Sequence, residues 1–205
     1  MTRVLVTPSL HASWRWFMDS ETSEKQEFLD VLNKVERPPS EAMLLGRKFE
    51  EDVFAACNDG YEQSDKPHYD NCVFEAAEHV YGGLWQEKVY FPARVSGYDI
   101  LLYGKADVIK RDWIYDLKRV KNYDLGKFTG SIQHPVYMHC SSIGNFRYVV
   151  TDGNHLWLED YRFDEDVRQT MLGEIATMLD CIFDHHEFSD AYIANWSARP
   201  RRAAA

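Results

Sequence analysis

Two apolar runs with alternating side chains, Tyr103-Gly104-Lys105-Ala106-Asp107-Val108-Ile109 and Trp113-Ile114-Tyr115-Asp116-Leu117-Lys118, flank the polar turn Lys110-Arg111-Asp112. Their period of two predicts a β-hairpin. Neighbouring residues of a strand face opposite sides, so Asp116 and Lys118 share one face while Tyr115 and Leu117 share the other. Asp107 is expected opposite them across the pair. Left exposed, the same residues would amount to a solvated Asp/Lys hairpin.

Two carboxylates and an ammonium gathered in this way suit the hydrolysis of a phosphodiester. Such an ester is anionic and slow to react, so a catalyst has to neutralise developing charge, activate a water and hold it in line with the leaving oxygen. Mg²⁺ or Mn²⁺ does much of this, because these hard ions take oxygen ligands and keep several waters. Asp107 and Asp116 are the expected ligands. Lys118 is expected beside the attacking water or the transition-state oxygens, where an ammonium orients and stabilises.

A third carboxylate lies upstream. Pro38-Pro39-Ser40 precedes Glu41 to Cys57, a pattern of stop, Ser N-cap and helix with an acidic start. Leu45, Phe49, Val53 and Cys57 recur every four residues and are expected to face the core. Gly46 and Glu50 form the neighbouring stripe, which puts Glu50 on the border of the buried face and within reach of a metal. Glu51 and Asp52 are expected to face solvent.

Four motifs in this order resemble the PD-(D/E)XK nucleases of the RecB-like branch. Gly46-x-x-x-Glu50 is similar to the first motif, Ala106-Asp107 stands in place of Pro-Asp, Asp116-Leu117-Lys118 matches (D/E)XK, and Gln133-x-x-x-Tyr137 matches the branch's Gln-x-x-x-Tyr helix. The likeness covers residues 40–160, and Thr7-Pro8-Ser9-Leu10 through Phe17 faintly resembles the Ser-x-Leu helix that often opens such domains. It implies an α/β (α+β) fold with a restriction-endonuclease-like core, a central mixed sheet flanked by helices. It also implies a Mg²⁺- or Mn²⁺-dependent DNA nuclease, foremost an exonuclease of phage or bacterial recombination or repair with a protein of those pathways as partner. Glu50, Asp107, Asp116 and the Leu117 carbonyl would hold metal, Lys118 would position the nucleophile, and Gln133 and Tyr137 would support the site and the DNA. An endonuclease fits the same chemistry. A nucleic-acid-binding protein that no longer cuts would be expected to have lost one of these groups.

Two departures from the family pattern carry structural content. Ala106 replaces a proline that is not itself a ligand. Pro135 inside Gln133-His134-Pro135-Val136-Tyr137 requires the helix to start no more than a residue or two before Gln133, since proline fits a first turn and breaks an interior one. Gln133 and Tyr137 then stand one turn apart on one face. Ile132, Val136, Cys140 and Ile143 are the expected buried stripe of this segment.

The formal charge of −10 on 205 residues means that positive charge for a nucleic acid must be local. Residues 105–127 supply it, with Lys105, Lys110, Arg111, Lys118, Arg119, Lys121 and Lys127 outnumbering Asp107, Asp112, Asp116 and Asp124. Lys105, Arg119 and Lys121 are the foremost candidates for contact with a DNA backbone, together with Gln133 and Tyr137. Cys57, Cys72, Cys140 and Cys181 show no metal-ligand spacing, and the terminal cysteine group of iron-sulfur members of the branch is missing, so no cluster is expected. No run is long enough to span a membrane, and the N-terminus is too short for a signal peptide, which predicts a cytoplasmic protein.

The remaining segments read as frame. One domain is expected over residues 1–198, with 199–205 a disordered tail. Helices are predicted over 22–35 and 71–81, the second stopping at Gly82-Gly83, with a polar loop over 58–70 between the Glu50 helix and the second of these. Strands are predicted over 85–95 and 99–109 around Ser96-Gly97, and a later hairpin over 145–151 and 155–163. Asp164 is expected to cap a long helix with Val167, Met171, Ile175, Leu179 and Ile182 as its apolar stripe, and His185-His186 to complement that helix's dipole.

Overall fold

The structure, a computed structural model, describes residues 3–20, 25–58 and 71–198. The chain begins with β1 (Val4–Val6) and α1 (Pro8–Asp19), followed by α2 (Lys25–Leu32), α3 (Glu41–Asn58) and α4 (Asn71–Val80). The strands β2 (Leu84–Val95), β3 (Tyr98–Lys110) and β4 (Trp113–Arg119) come next. Then follow α5 (Gln133–Ser141), β5 (Asn145–Thr151), β6 (Leu156–Arg162), α6 (Glu165–Asp184) and α7 (His186–Trp196).

Local chemistry sets many of these boundaries. Thr7 Oγ1 accepts the Leu10 N–H ahead of α1, Ser40 Oγ that of Met43 ahead of α3, and Asp164 Oδ1 that of Val167 ahead of α6. Each satisfies a donor that the first helical turn leaves free. Ser96 and Gly97, with φ of 46° and 89°, form the tight turn between β2 and β3, a left-handed pair that matches the twist of a two-residue hairpin.

The six strands form one mixed sheet in the order β1-β3-β4-β5-β6, with β2 antiparallel to β3. β1 is parallel to β3 and β4 to β5, while the other pairs are antiparallel. Helices cover both faces, the α/β arrangement expected. One core gathers Leu10, Phe28, Ile100, Phe146, Tyr148, Ile175 and Tyr192 with the buried side of α5. The second, on the opposite face, packs Phe49 and Val53 of α3 and Val73 and Val80 of α4 against Val108, Tyr115, Leu117 and Val149.

Three expectations need correction or addition. Leu45 is 47% exposed rather than buried; residues 41–45 are all exposed, so α3 meets the sheet only from Phe49 onward. His185 does close α6, with Nδ1 2.9 Å from the Cys181 carbonyl oxygen, but His186 opens a further helix, α7, that was not expected. β1 was also not foreseen: three residues are too few for a pattern, and its place comes from long-range pairing of Val4 with Ile100 and Val6 with Leu102. The expected tail at 199–205 and the expected loop, apart from Asn58, lie outside the described residues.

The feature that positions the site is an interruption along β3. β2 pairs with one edge of β3 from Tyr98 to Ile109, so β1 and β4 share the other. β1 pairs at Ile100 to Leu102 and β4 at Val108 to Lys110, and among the described residues no strand pairs with 103–107 on that edge. α5 approaches β3 here. A Cβ on Gly104 would lie 2.1 Å from Tyr137 Cε1, so the tyrosine ring seats directly on the glycine backbone, as an isolated glycine in a strand often signals. Gly104→Ala is expected to push this ring away and to cost about 1–3 kcal/mol of unfolding free energy in a urea titration, the usual cost of overpacking. An unchanged midpoint would mean that α5 does not depend on this contact.

Candidate active site

The antiparallel ladder between β3 and β4 ends at Val108 paired with Tyr115. The next residues, Asp107 and Asp116, lie where the two strands part. Asp107 Oδ2 accepts the Leu117 N–H at 2.9 Å, so a side chain supplies the bond that the lost ladder would have made. Asp107 therefore stands across from Asp116, as expected, but beyond the end of the ladder, with its carboxylate in the opening.

β4 sorts its side chains as expected. Ile114 belongs to the core on the α5 side, whereas Tyr115 and Leu117 belong to the core under α3 and α4. Asp116 and Lys118 thus project towards α5. Gln133 Nε2 donates to Asp116 Oδ1 at 2.6 Å and reaches Tyr137 Oη at 3.3 Å, which joins the two α5 residues to the strand. Pro135 is accommodated because α5 starts at Gln133, with Ser131 Oγ accepting the Gln133 N–H. The Lys118 ammonium forms an ion pair with Asp116 Oδ2, an oxygen that takes no other hydrogen bond among the described residues, and lies 5.8 Å from the centre of the Tyr148 ring.

Glu50 comes from α3, on the other face of the sheet from α5. It makes no direct bond to the aspartates, yet both aspartates and Lys118 lie within its electrostatic reach. Lys105 and Arg47 are the further cations near it. Arg119 packs on Gly153, donates to the Val120 carbonyl and lines a groove with Lys121, Leu45 and Glu41. Lys110, by contrast, donates to the His79 carbonyl near the end of α4, and Arg111 sits on the hairpin turn with φ of 55°. These two belong to the hairpin end of the sheet, so the basic stretch of the sequence is divided between two places.

Burial and mutual repulsion dominate the electrostatics. Desolvation, then the charges of Asp116 and Glu50, hold the Asp107 carboxyl well above the usual range. Asp116 and Glu50 are also raised, chiefly by burial, with Lys118 acting against it in both. Burial alone would lower the Lys118 ammonium, but the charges of Asp116 and Asp107 outweigh it and keep it protonated. Tyr137 is pushed up to about 12 by burial and the nearby Asp116 charge, so it serves as a neutral phenol.

An all-oxygen set of two buried carboxylates, with Glu50 near, suits a hard divalent ion. As placed, the three do not close into a cage: among the described residues, no three His, Cys, Asp or Glu side chains come together to hold an ion. Asp107 is engaged by Leu117, and Asp116 by Gln133 and Lys118, which takes the position of the neutralising charge. The donor chemistry fits a divalent cation, and Lys118 would have to yield part of its contact with Asp116.

Two contributors escaped the sequence. Gln86 sits in β2 with φ of 57°, the ladder skips it and Asp107 between Trp85↔Val108 and Glu87↔Ala106, and its Nε2 is 3.4 Å from Asp107 Oδ1. A non-glycine residue held in this conformation inside a strand is a strained position, of the kind that concentrates at functional sites. Nothing in local sequence marks it. Tyr148, opposite Asp116 in the β4–β5 ladder, forms the aromatic floor beneath Lys118.

No protein-family model and no curated protein sequence matches the chain. Among solved structures the fold is similar to SSO0001, with a TM-score of 0.54 and 10% identity over 88% of this chain and 77% of that one. It is also similar to LHK-Exo in complex with dAMP, with a TM-score of 0.53 and 13% identity over 92% of this chain and 93% of that one. A second structure of this alkaline exonuclease, from Laribacter hongkongensis, gives 0.51 and 14% over the same shares. At these identities the likeness is one of fold. No helix among the described residues is long and apolar enough to cross a membrane.

Each raised carboxyl holds its proton more tightly in the folded chain than in the unfolded one. Folded stability should therefore fall as pH rises from the unfolded carboxyl value of about 4 through the raised folded values. Asp107→Asn keeps an oxygen for the Leu117 N–H and removes a buried charge. In thermal melts without divalent ions at pH 8 it is expected to raise Tm by roughly 2–4 °C, the shift that about 1 kcal/mol gives in a domain of this size. A variant that melts below the parent at pH 8 would contradict the charge repulsion inferred here.

Proposed function

We propose that the chain is a divalent-metal-dependent DNA nuclease of the PD-(D/E)XK superfamily, RecB-like branch, and that it works as an exonuclease in recombination or repair of phage or bacterial DNA. The observation that carries the reading is the parting of β3 and β4 at Asp107 and Asp116, with Lys118, Gln133 and Tyr137 closing on it from one side. The shared fold with an alkaline exonuclease supports it over 92% of the chain. The complex of that exonuclease with dAMP is in keeping with a nucleotide as the group bound.

Asp107, Asp116, Glu50 and the Leu117 carbonyl would hold Mg²⁺ or Mn²⁺. When bound, the cation supplies charge neutralisation at the scissile phosphate and lowers the pKa of an attacking water. Lys118, released in part from Asp116, donates to that water and to the phosphate oxygens as charge builds on them. Gln133 holds the Asp116 carboxylate in one orientation, and Tyr137 supports Gln133 while offering a phenol to the phosphate. Gln86 steadies Asp107. Lys105, Arg119 and Lys121 supply the cations for the DNA backbone beyond the scissile bond. The exonuclease assignment over an endonuclease rests on the fold likeness alone.

Labelled linear and covalently closed DNA, incubated with Mg²⁺ or with excess chelator, tests the reading. Loss of linear DNA from its ends with Mg²⁺ and no loss in chelator are expected; cleavage that persists in chelator would contradict it. Asp116→Asn should lose both metal affinity and cutting, whereas Lys118→Ala should retain the ion by calorimetry and lose at least about 10²-fold in rate, as removal of an electrostatic stabiliser does. Because the carboxyls must give up protons to bind an ion, metal affinity should rise with pH.

A further inference from the structure

Beside the parting of β3 and β4 lies a cleft to which the proposed chemistry assigns no part of the substrate. Arg47, Glu50, Glu51 and Phe54 of α3 and Trp85 and Gln86 of β2 line an open space of ≈ 470 Å³, within the range of small-molecule sites. Phe54 stands off the buried stripe of α3 and is 44% exposed. Its ring meets Trp85 edge to face, with centroids 5.0 Å apart and an interplanar angle of 77°. Two walls of the cleft belong also to the catalytic cluster: Glu50 senses both aspartates, and Gln86 reaches Asp107.

We propose that this cleft is a nucleobase subsite, which takes one unpaired base of the strand whose phosphate lies at Asp107 and Asp116. The identity of that strand rests on the nuclease reading; the preference for a base rests on the cleft itself. With Glu50 engaged by the ion, Arg47 and Glu51 leave the cleft with no net charge to attract a second phosphate, so the space suits a flat, uncharged group rather than more backbone. Phe54 and Trp85 offer aromatic surface for its face, and Arg47 and Glu51 offer a donor fork and an acceptor for its edge. Stacking of this kind tolerates any base, since every base has a π face. A base drawn into the cleft would fix the adjacent phosphate over the carboxylates.

The test uses two labelled single strands of equal length and charge, one of thymidines and one wholly abasic, bound in Mg²⁺ to the Lys118→Ala protein so that the strand stays whole. Fluorescence anisotropy is expected to give roughly five- to tenfold tighter binding of the base-bearing strand, the lower range of one stacked base. Adding Phe54→Ala should bring the ratio close to one without changing affinity for the abasic strand, and Phe54→Tyr should keep it. Equal binding of the two strands, no binding of either, or a ratio that Phe54→Ala leaves intact overturns the subsite. Cleavage of DNA by the wild-type chain is scored separately. A chain that cuts without a Phe54-dependent base preference loses only the subsite, and a chain with that preference that never cuts loses only the nuclease reading.

Discussion

The Asp107 carboxylate accepts the Leu117 N–H where β3 and β4 stop pairing, and the arrangement of the other groups depends on that bond. A strand that leaves its ladder exposes backbone donors, and a buried donor without a partner costs about 1–3 kcal/mol. By satisfying one of them with a side chain, the fold keeps the opening and places a carboxylate inside it. Leu117 stays in the core under α3 and α4, which sends Asp116 and Lys118 to the α5 side by alternation. α5 is then held against the opening by Gly104, which lets the Tyr137 ring reach the β3 backbone, and by Gln133, which bonds to Asp116.

Charge in this opening is arranged at the expense of stability. Buried carboxyls that repel one another sit around one lysine, and both aspartates and Glu50 are raised by desolvation. Replacement of such groups by neutral ones commonly stabilises a protein and removes its function. Lys118 offsets part of the repulsion through its ion pair with Asp116, so the same residue that would stabilise a transition state keeps the resting site from flying apart. The strain at Gln86 belongs to the same account, since its left-handed backbone turns the amide towards Asp107.

The parts of this structure that local chemistry dictates were legible in the sequence. Ser40 and Asp164 as caps, the Ser96-Gly97 turn, the hairpin around residues 110–112 and the start of α5 at Gln133 follow from side-chain donors, turn preferences and proline geometry. So does the alternation that separates Asp116 and Lys118 from Tyr115 and Leu117. What escaped depends on contacts distant in sequence. Leu45 fits the helical stripe but lies beyond the reach of the sheet, and β1 is a strand only because Ile100 to Leu102 pair with it. Gln86 carries no residue signature for its conformation. The early end of the β3–β4 ladder, on which the geometry of Asp107 rests, is equally invisible to a period of two.

On the proposed reading Asp107 and Asp116 share one cation, and Lys118, now paired with Asp116, would give way to it. A crystal structure of the chain grown with Mn²⁺, with data collected at the manganese absorption edge, measures this directly. An anomalous peak beside the Asp107 and Asp116 carboxylates, at roughly 2.0–2.2 Å from oxygens of both, is expected, with the Lys118 ammonium withdrawn from Asp116. A peak elsewhere in the molecule, or Lys118 still paired with Asp116 and no peak between the aspartates in saturating Mn²⁺, would contradict it.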